Sequence, residues 1–251
     1  MSSAELPRPT EGEALAPTES EPLLGRPGDA TQKPDAPMIN NLFLGTAWLS
    51  QLGALLLLAI IWSSLFTHPT LALVTPHPIL QSLGVFTVLQ AILLLQPTTT
   101  PRAKLVGQRA HALLHLLSFA LFVAGATVIQ VNKHVNHLPH FHSAHAYLGV
   151  GTLGLMLVQY GFGFTIWAVP GLWGGEEAAR GMWKYHRIVG YAALVLLLAT
   201  VAAAAETDYS KGVLGLRLWA VLLAEALIVV GVFPRVHLRK LGVQRDQQVR
   251  I

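Results

Sequence analysis

No cysteine occurs in the 251 residues. That excludes disulfides, thiolate-held iron–sulfur clusters and a haem attached through a C-x-x-C-H motif. Charge is scarce too. Asp, Glu, Lys and Arg make up 12% of the chain, against roughly 25% in a soluble domain. None of the four occurs between Leu42 and Thr100. At 53% apolar residues, so little charge in so long a chain points to a polytopic membrane protein. The net charge of +4 does not imply a nucleic-acid partner, because the basic residues are scattered between apolar runs with no stripe alternating with aromatics.

What is present is organised in runs. Met1 to about Pro37 is polar and rich in Pro, Glu, Ser, Thr and Gly; it cannot bury enough apolar surface to fold and reads as a disordered tail. It has no basic segment followed by an apolar core, so it is not expected to be a signal peptide. Within it "ESEPLLG", Glu19 to Gly25, resembles an acidic dileucine sorting signal, although a polar tail produces such a string by chance as well. Six apolar runs follow, at about Leu42–Phe66, His77–Leu95, His111–Val131, Ala144–Val169, Tyr185–Ala205 and Leu216–Phe233. Each has about the 17–25 residues that span hydrocarbon as a helix. The expected architecture is all-α: six transmembrane helices, the second to fifth forming a four-helix bundle. It divides into a disordered cytosolic tail (1–38), a six-helix domain (39–234) and a basic cytosolic tail (235–251).

Lys and Arg in the connections set the orientation. One face carries Arg102, Lys104, Arg109, Arg180 and Lys184, together with Arg235, Arg239, Lys240, Arg245 and Arg250; the other carries Lys133, Lys211 and Arg217. Both termini are therefore expected in the cytosol, where adaptors could reach the dileucine-like string.

Histidines fall where apolar runs begin: His77 in "HPIL", His111 in "RAHALLH", His145 in "SAHAYLG" and His186 in "WKYHRIVG". Successive helices run antiparallel, so His77 and His145 share the luminal side and His111 and His186 the cytosolic side. Histidine in a bilayer is costly unless partnered, and a helix N-terminus favours neutral imidazole, the ligating form. Two facing imidazoles in a bundle can hold a porphyrin by its iron. Zinc would want four ligands, and neither pair has a carboxylate or thiolate to complete the set. Two non-covalent bis-histidine haems b are the expected cofactors. One could not bridge about 30 Å of hydrocarbon, whereas two at different depths could.

These residues resemble the cytochrome b561 transmembrane oxidoreductases, over about Thr75 to Glu206. The carrying pieces are His77–Pro78, "RAHALLH", "NKH…HFHSAHAYLGVGT" and "KYHRIVGY", which look most like the six-helix branch with no attached module. By spacing, His115 rivals His111, lying four residues on along the same helical face; the resemblance selects His111 and implies that His77 and His145 ligate a luminal haem and His111 and His186 a cytosolic one, with His115 packing nearby. It implies an ascorbate-dependent oxidoreductase passing electrons from cytosolic ascorbate, or a similar reductant, to luminal monodehydroascorbate or a ferric chelate. It also admits a homodimer. Lys104, Arg109, Lys184 and Arg187 are placed to receive an anionic donor, though all four also serve as ordinary positive-inside residues. Better-known ascorbate-using members have a lysine about one turn before the residue equivalent to His111; Gln108 occupies that region here. On the luminal side His134, with His137, His140 and His142, could position the acceptor or simply form a solvated loop. A vacuolar, lysosomal or endosomal membrane is expected.

Other signals weigh less. "GVGTLG", Gly149 to Gly154, matches a nucleotide-binding string but lies in an apolar helix rather than after a strand; its small residues suit close approach of a helix or porphyrin. Glu225, an acid within the last run, is either functional or a protonated packing residue. The alternative to electron transfer is a haem-free metal transporter or channel with the histidine loop as a metal trap.

Overall fold

The computed structural model describes residues 30–242. "ESEPLLG", Arg245 and Arg250 lie outside them. Seven α-helices are formed among the described residues: α1 (Ala47–Thr67), α2 (Pro76–Leu95), α3 (Pro101–Val135), α4 (Ala144–Ala168), α5 (Glu176–Ala205), the short α6 (Asp208–Gly212) and α7 (Leu218–Val232). All but α6 are long and apolar enough to cross a membrane, the last span running on through a 3-10 turn to Arg235. The all-α, six-span expectation is met.

The helix starts correct one part of the sequence reading. The apolar runs place His111 and His186 at the beginnings of their helices, yet α3 begins at Pro101 and α5 at Glu176, so both histidines lie almost three turns inside. Thr100 caps α3, its side chain accepting from the Ala103 amide, with Pro101 in the first turn, where its missing N–H costs nothing. α5 opens on Glu176 and Glu177, which suit the positive end of the helix dipole. Charged residues that are good helix formers thus extend both helices beyond the apolar stretch. Hydropathy marks the hydrocarbon slab, not the helix.

Helices pack as pairs: α3 runs along α2, α5 along α4, and α1 against α7, while α3 and α4 touch only sparsely. Between membrane helices, close packing and interhelical hydrogen bonds replace the hydrophobic drive. A Cβ built on Gly53 of α1 would come within 2.5 Å of the Ala224 carbonyl oxygen of α7, and one on Gly231 would strike Ser50. Between α1 and α2, Gln51 and Gln90 exchange two amide hydrogen bonds of 2.7 and 3.0 Å, and Trp62 donates to Ser82 Oγ.

One end of the bundle is laced together. Arg235, 1% exposed, donates to the carbonyls of Asn41 and Leu93, and Asn41 donates to the Leu94 carbonyl. Arg235 is therefore a buried clamp rather than part of a solvated basic tail. The Gln32 amide donates to the Pro97 carbonyl, so the described chain is already packed at that residue.

Two facing histidine pairs

The bundle brings the four histidines together two by two. The rings of His77 and His145 have centroids 6.1 Å apart and interplanar angle 79°; those of His111 and His186 are 6.4 Å apart at 74°. Among the described residues, neither ion pair involves any of the four. The holding contacts come from the main chain of the paired helix. His77 Nδ1 donates to the Gly125 carbonyl on α3 (2.9 Å), His111 Nδ1 to Ala91 on α2 (3.1 Å), and His145 Nδ1 to Thr200 on α5 (2.9 Å). A carbonyl only accepts, so each Nδ1 must carry the proton and each Nε2 keeps its lone pair. For His111 this contact, rather than a helix terminus, selects the ligating tautomer. His186 is held differently: Gln159 donates to its main-chain carbonyl, and Gly163 lies so close that a Cβ there would sit 2.7 Å from His186 Cε1.

Each pair can hold a metal between its rings. Two imidazoles on opposite sides of one ion, with metal–nitrogen bonds of about 2.0–2.1 Å each, have ring centres about 6 Å apart. That matches both separations. Among the described residues no three His, Cys, Asp or Glu side chains converge on a point that could hold an ion, so the donor set is two imidazoles per site. Axial ligation of a porphyrin needs no more. The sparse α3–α4 contact leaves an apolar groove of about 470 Å³ lined by Val123, Ala126, Thr127, Gln130, Val131, His134 and Leu153; Val123 and Ala126 flank Gly125, whose carbonyl holds His77. Two facing imidazoles among apolar helices suit a flat apolar group held by its iron; the groove itself is lined by His134 and by none of the four paired histidines.

The sites differ in depth. His77 and Ala91, one at each site, are separated along α2 by about 14 residues, roughly 21 Å, so both lie within the length of one span.

His115 packs at 4.3 Å from the His111 ring and 5.4 Å from that of Tyr160, whose hydroxyl meets Ser118 Oγ at 3.0 Å. It is a neighbour of the second pair. Of the loop histidines, His134 lines the groove, while His137, His140 and His142 are exposed and do not converge. Lys104, Arg109 and Lys184 are exposed and Arg187 is half-buried, all at the end of the molecule nearer His111 and His186. Lys184 Nζ lies 4.9 Å from the Tyr185 ring centre, and Arg187 Nη1 donates to the Lys240 carbonyl at 2.8 Å. Gly149, Gly151 and Gly154 lie within α4. Gly149 faces Thr200, and around a Cβ built on either of the other two no described atom beyond the local helix backbone and chain neighbours lies within 4 Å.

Sequence reasoning missed the acceptors Ala91, Gly125 and Thr200, because a carbonyl carries no residue signature. It also missed Gln159, Gly163 and Lys240. The glycine content of α4 was the one available pointer to Gly163.

A family model described as eukaryotic cytochrome b561 matches residues 76–211. The chain is 26% identical over 126 residues to a transmembrane ascorbate ferrireductase of Arabidopsis thaliana, covering 50% of this chain and 52% of that protein. It is 29% identical over 127 residues to a lysosomal membrane ascorbate-dependent ferrireductase of Rattus norvegicus, covering 50% and 49%. An ascorbate-specific transmembrane electron transporter of Zea mays is 24% identical over 124 residues, covering 49% and 51%. The chain thus spans about half the length of the curated relatives it matches.

Proposed function

The chain belongs to the eukaryotic cytochrome b561 family, and on that premise we propose that it carries electrons across a membrane from cytosolic ascorbate to a luminal acceptor, using two haems b. His77 and His145 hold the luminal group and His111 and His186 the cytosolic one. The observation that carries the reading is the pair of facing imidazole couples at two depths, with ring centres 6.1 and 6.4 Å apart. A haem held by two histidines supplies reversible one-electron chemistry without an open position for oxygen.

The chain's own residues do the rest. Carbonyls of Gly125, Ala91 and Thr200 fix the proton on Nδ1, which orients the rings and raises their basicity as ligands. Apolar helices exclude water from both sites. On the cytosolic face Lys104, Arg109, Lys184 and Arg187 attract the ascorbate monoanion, which loses one electron and one proton to become monodehydroascorbate. On the luminal face a ferric chelate gains one electron and becomes ferrous, or monodehydroascorbate gains one electron and a proton; His134 stands at the groove where such an acceptor arrives. An electron leaving a negative cytosol gains about 2.3 kcal/mol per 100 mV. The positive-inside distribution puts both termini in the cytosol, and the membrane is vacuolar, lysosomal or endosomal. The named roles of relatives as ascorbate-dependent ferrireductases support this choice of donor and acceptor.

The visible spectrum of the purified, dithionite-reduced chain tests the reading. Sharp haem-b bands at about two haems per chain, also produced by ascorbate, are expected. A colourless protein, such as the histidine-loop transporter would give, refutes it.

A further inference from the structure

The 3-10 turn Leu238–Leu241 folds back onto the end of the bundle nearer His111 and His186. Lys240 Nζ donates to the carbonyls of Gln96 (2.9 Å) and Thr98 (3.1 Å), just beyond α2. The Lys240 carbonyl accepts from Arg187 Nη1, and Arg187 follows His186 in the chain. Lys104 of α3 lies close enough, with Arg187, to oppose the charge on Lys240. Three cations from three elements are therefore gathered beside the second histidine pair. The ion pairs among the described residues, Arg180–Glu176 and Lys211–Glu206, include none of the three. An ammonium has three donors, and the two carbonyls use two of them. Like charges brought together against their repulsion, with donors left over, make a receptor for an anion.

Resting on the reading of ascorbate as cytosolic donor, we propose that Lys240, with Arg187 and Lys104, seats the anionic reductant, so that the C-terminal segment is part of the donor site. Its main chain positions the Arg187 guanidinium and its side chain supplies a cation. Lys240 reaches the site from beyond the last transmembrane helix, and the segment closes over α2 and α5 together.

The test uses the full chain with haem bound. Lys240→Gln is expected to weaken ascorbate about fivefold to tenfold, as loss of one charge-assisted contact does, in the concentration dependence of haem reduction. Lys240→Arg should restore most of it. Hexaammineruthenium(II), a cationic one-electron donor, should reduce the variant as fast as wild type or faster, whereas a structural lesion slows both donors. On the dithionite-reduced chain, where no electron can pass, ascorbate should raise the melting temperature of wild type more than of Lys240→Gln. Should Lys240→Gln lose haem, acetylation of wild type decides: ascorbate should protect Lys240 and leave exposed Lys33 unprotected. Equal ascorbate affinity in wild type and Lys240→Gln, or no protection of Lys240, overturns the proposal. Failure of ascorbate to reduce wild type overturns the reading beneath it instead.

Discussion

Where something holds one imidazole nitrogen as a donor, the other keeps its lone pair for a ligand's role. Here main-chain carbonyls do so for His77, His111 and His145, and a neighbouring glycine and glutamine confine His186. The roles of His111 and His115 can be separated. His111→Ala should halve the haem bound per chain, measured by the pyridine haemochrome assay, while His115→Ala should leave it near two; the reverse pattern would exchange their roles. Gly163→Ala should also cost the cytosolic haem, because its methyl would arrive 2.7 Å from the His186 ring, closer than packed atoms approach, and overpacking of this kind typically costs about 1–3 kcal/mol. An unaltered spectrum in Gly163→Ala would show that the ring can yield. Residue types and spacing made the four histidines proposed as ligands legible in the sequence. The Nδ1 acceptors were not, since any residue offers the same carbonyl.

At the scale of the element, hydropathy found all six spans but not their lengths. α3 reaches from Pro101 to Val135 and α5 from Glu176 to Ala205, because Arg, Lys, Glu and Gln propagate a helix outside lipid as readily as Leu does inside it. The helix-start argument for neutral imidazole consequently holds for His77 and His145, each in the first turn, and fails for His111 and His186. The pairing itself survived, since it depends on which end of a span each histidine occupies. α1 and α7 lie outside the histidine-bearing quartet and meet through Gly53 and Gly231. Gly53→Leu should force them apart, lowering the thermal midpoint of the detergent-solubilised chain while leaving both haems bound below it. Loss of haem in parallel would make this pair part of the site.

For the whole molecule, the lack of cysteine makes orientation easy to read. A single cysteine at His140 should react with an impermeant maleimide only from the luminal side of sealed vesicles, and one at Glu177 only from the cytosolic side; the opposite result inverts the topology. The donor face should also respond to pH. Burial, then the facing charges of Arg187 on α5 and Lys104 on α3, lower the Lys240 pKa from 10.5 to about 8. Its charge is thus present below about 8 and lost as pH rises through that value, while ascorbate remains a monoanion. Ascorbate affinity should fall across that window in wild type and stay flat in Lys240→Gln. The sign for folding is opposite: the native state gives up this proton more readily than the unfolded chain does, so Lys240's contribution to stability improves from about pH 8 to 10.5.

Arg235 bears on how such a chain is made. It ends the span that contains α7, and its partners are the carbonyls of Asn41, ahead of α1, and Leu93, in α2. Until α7 meets α2 and the segment before α1, this guanidinium lacks its two carbonyl acceptors, and a hydrogen bond to a charged group is worth about 1.5–3 kcal/mol. The contact ties the end of α7 to α2 and to the segment ahead of α1, so displacing either of those segments uncovers the same arginine.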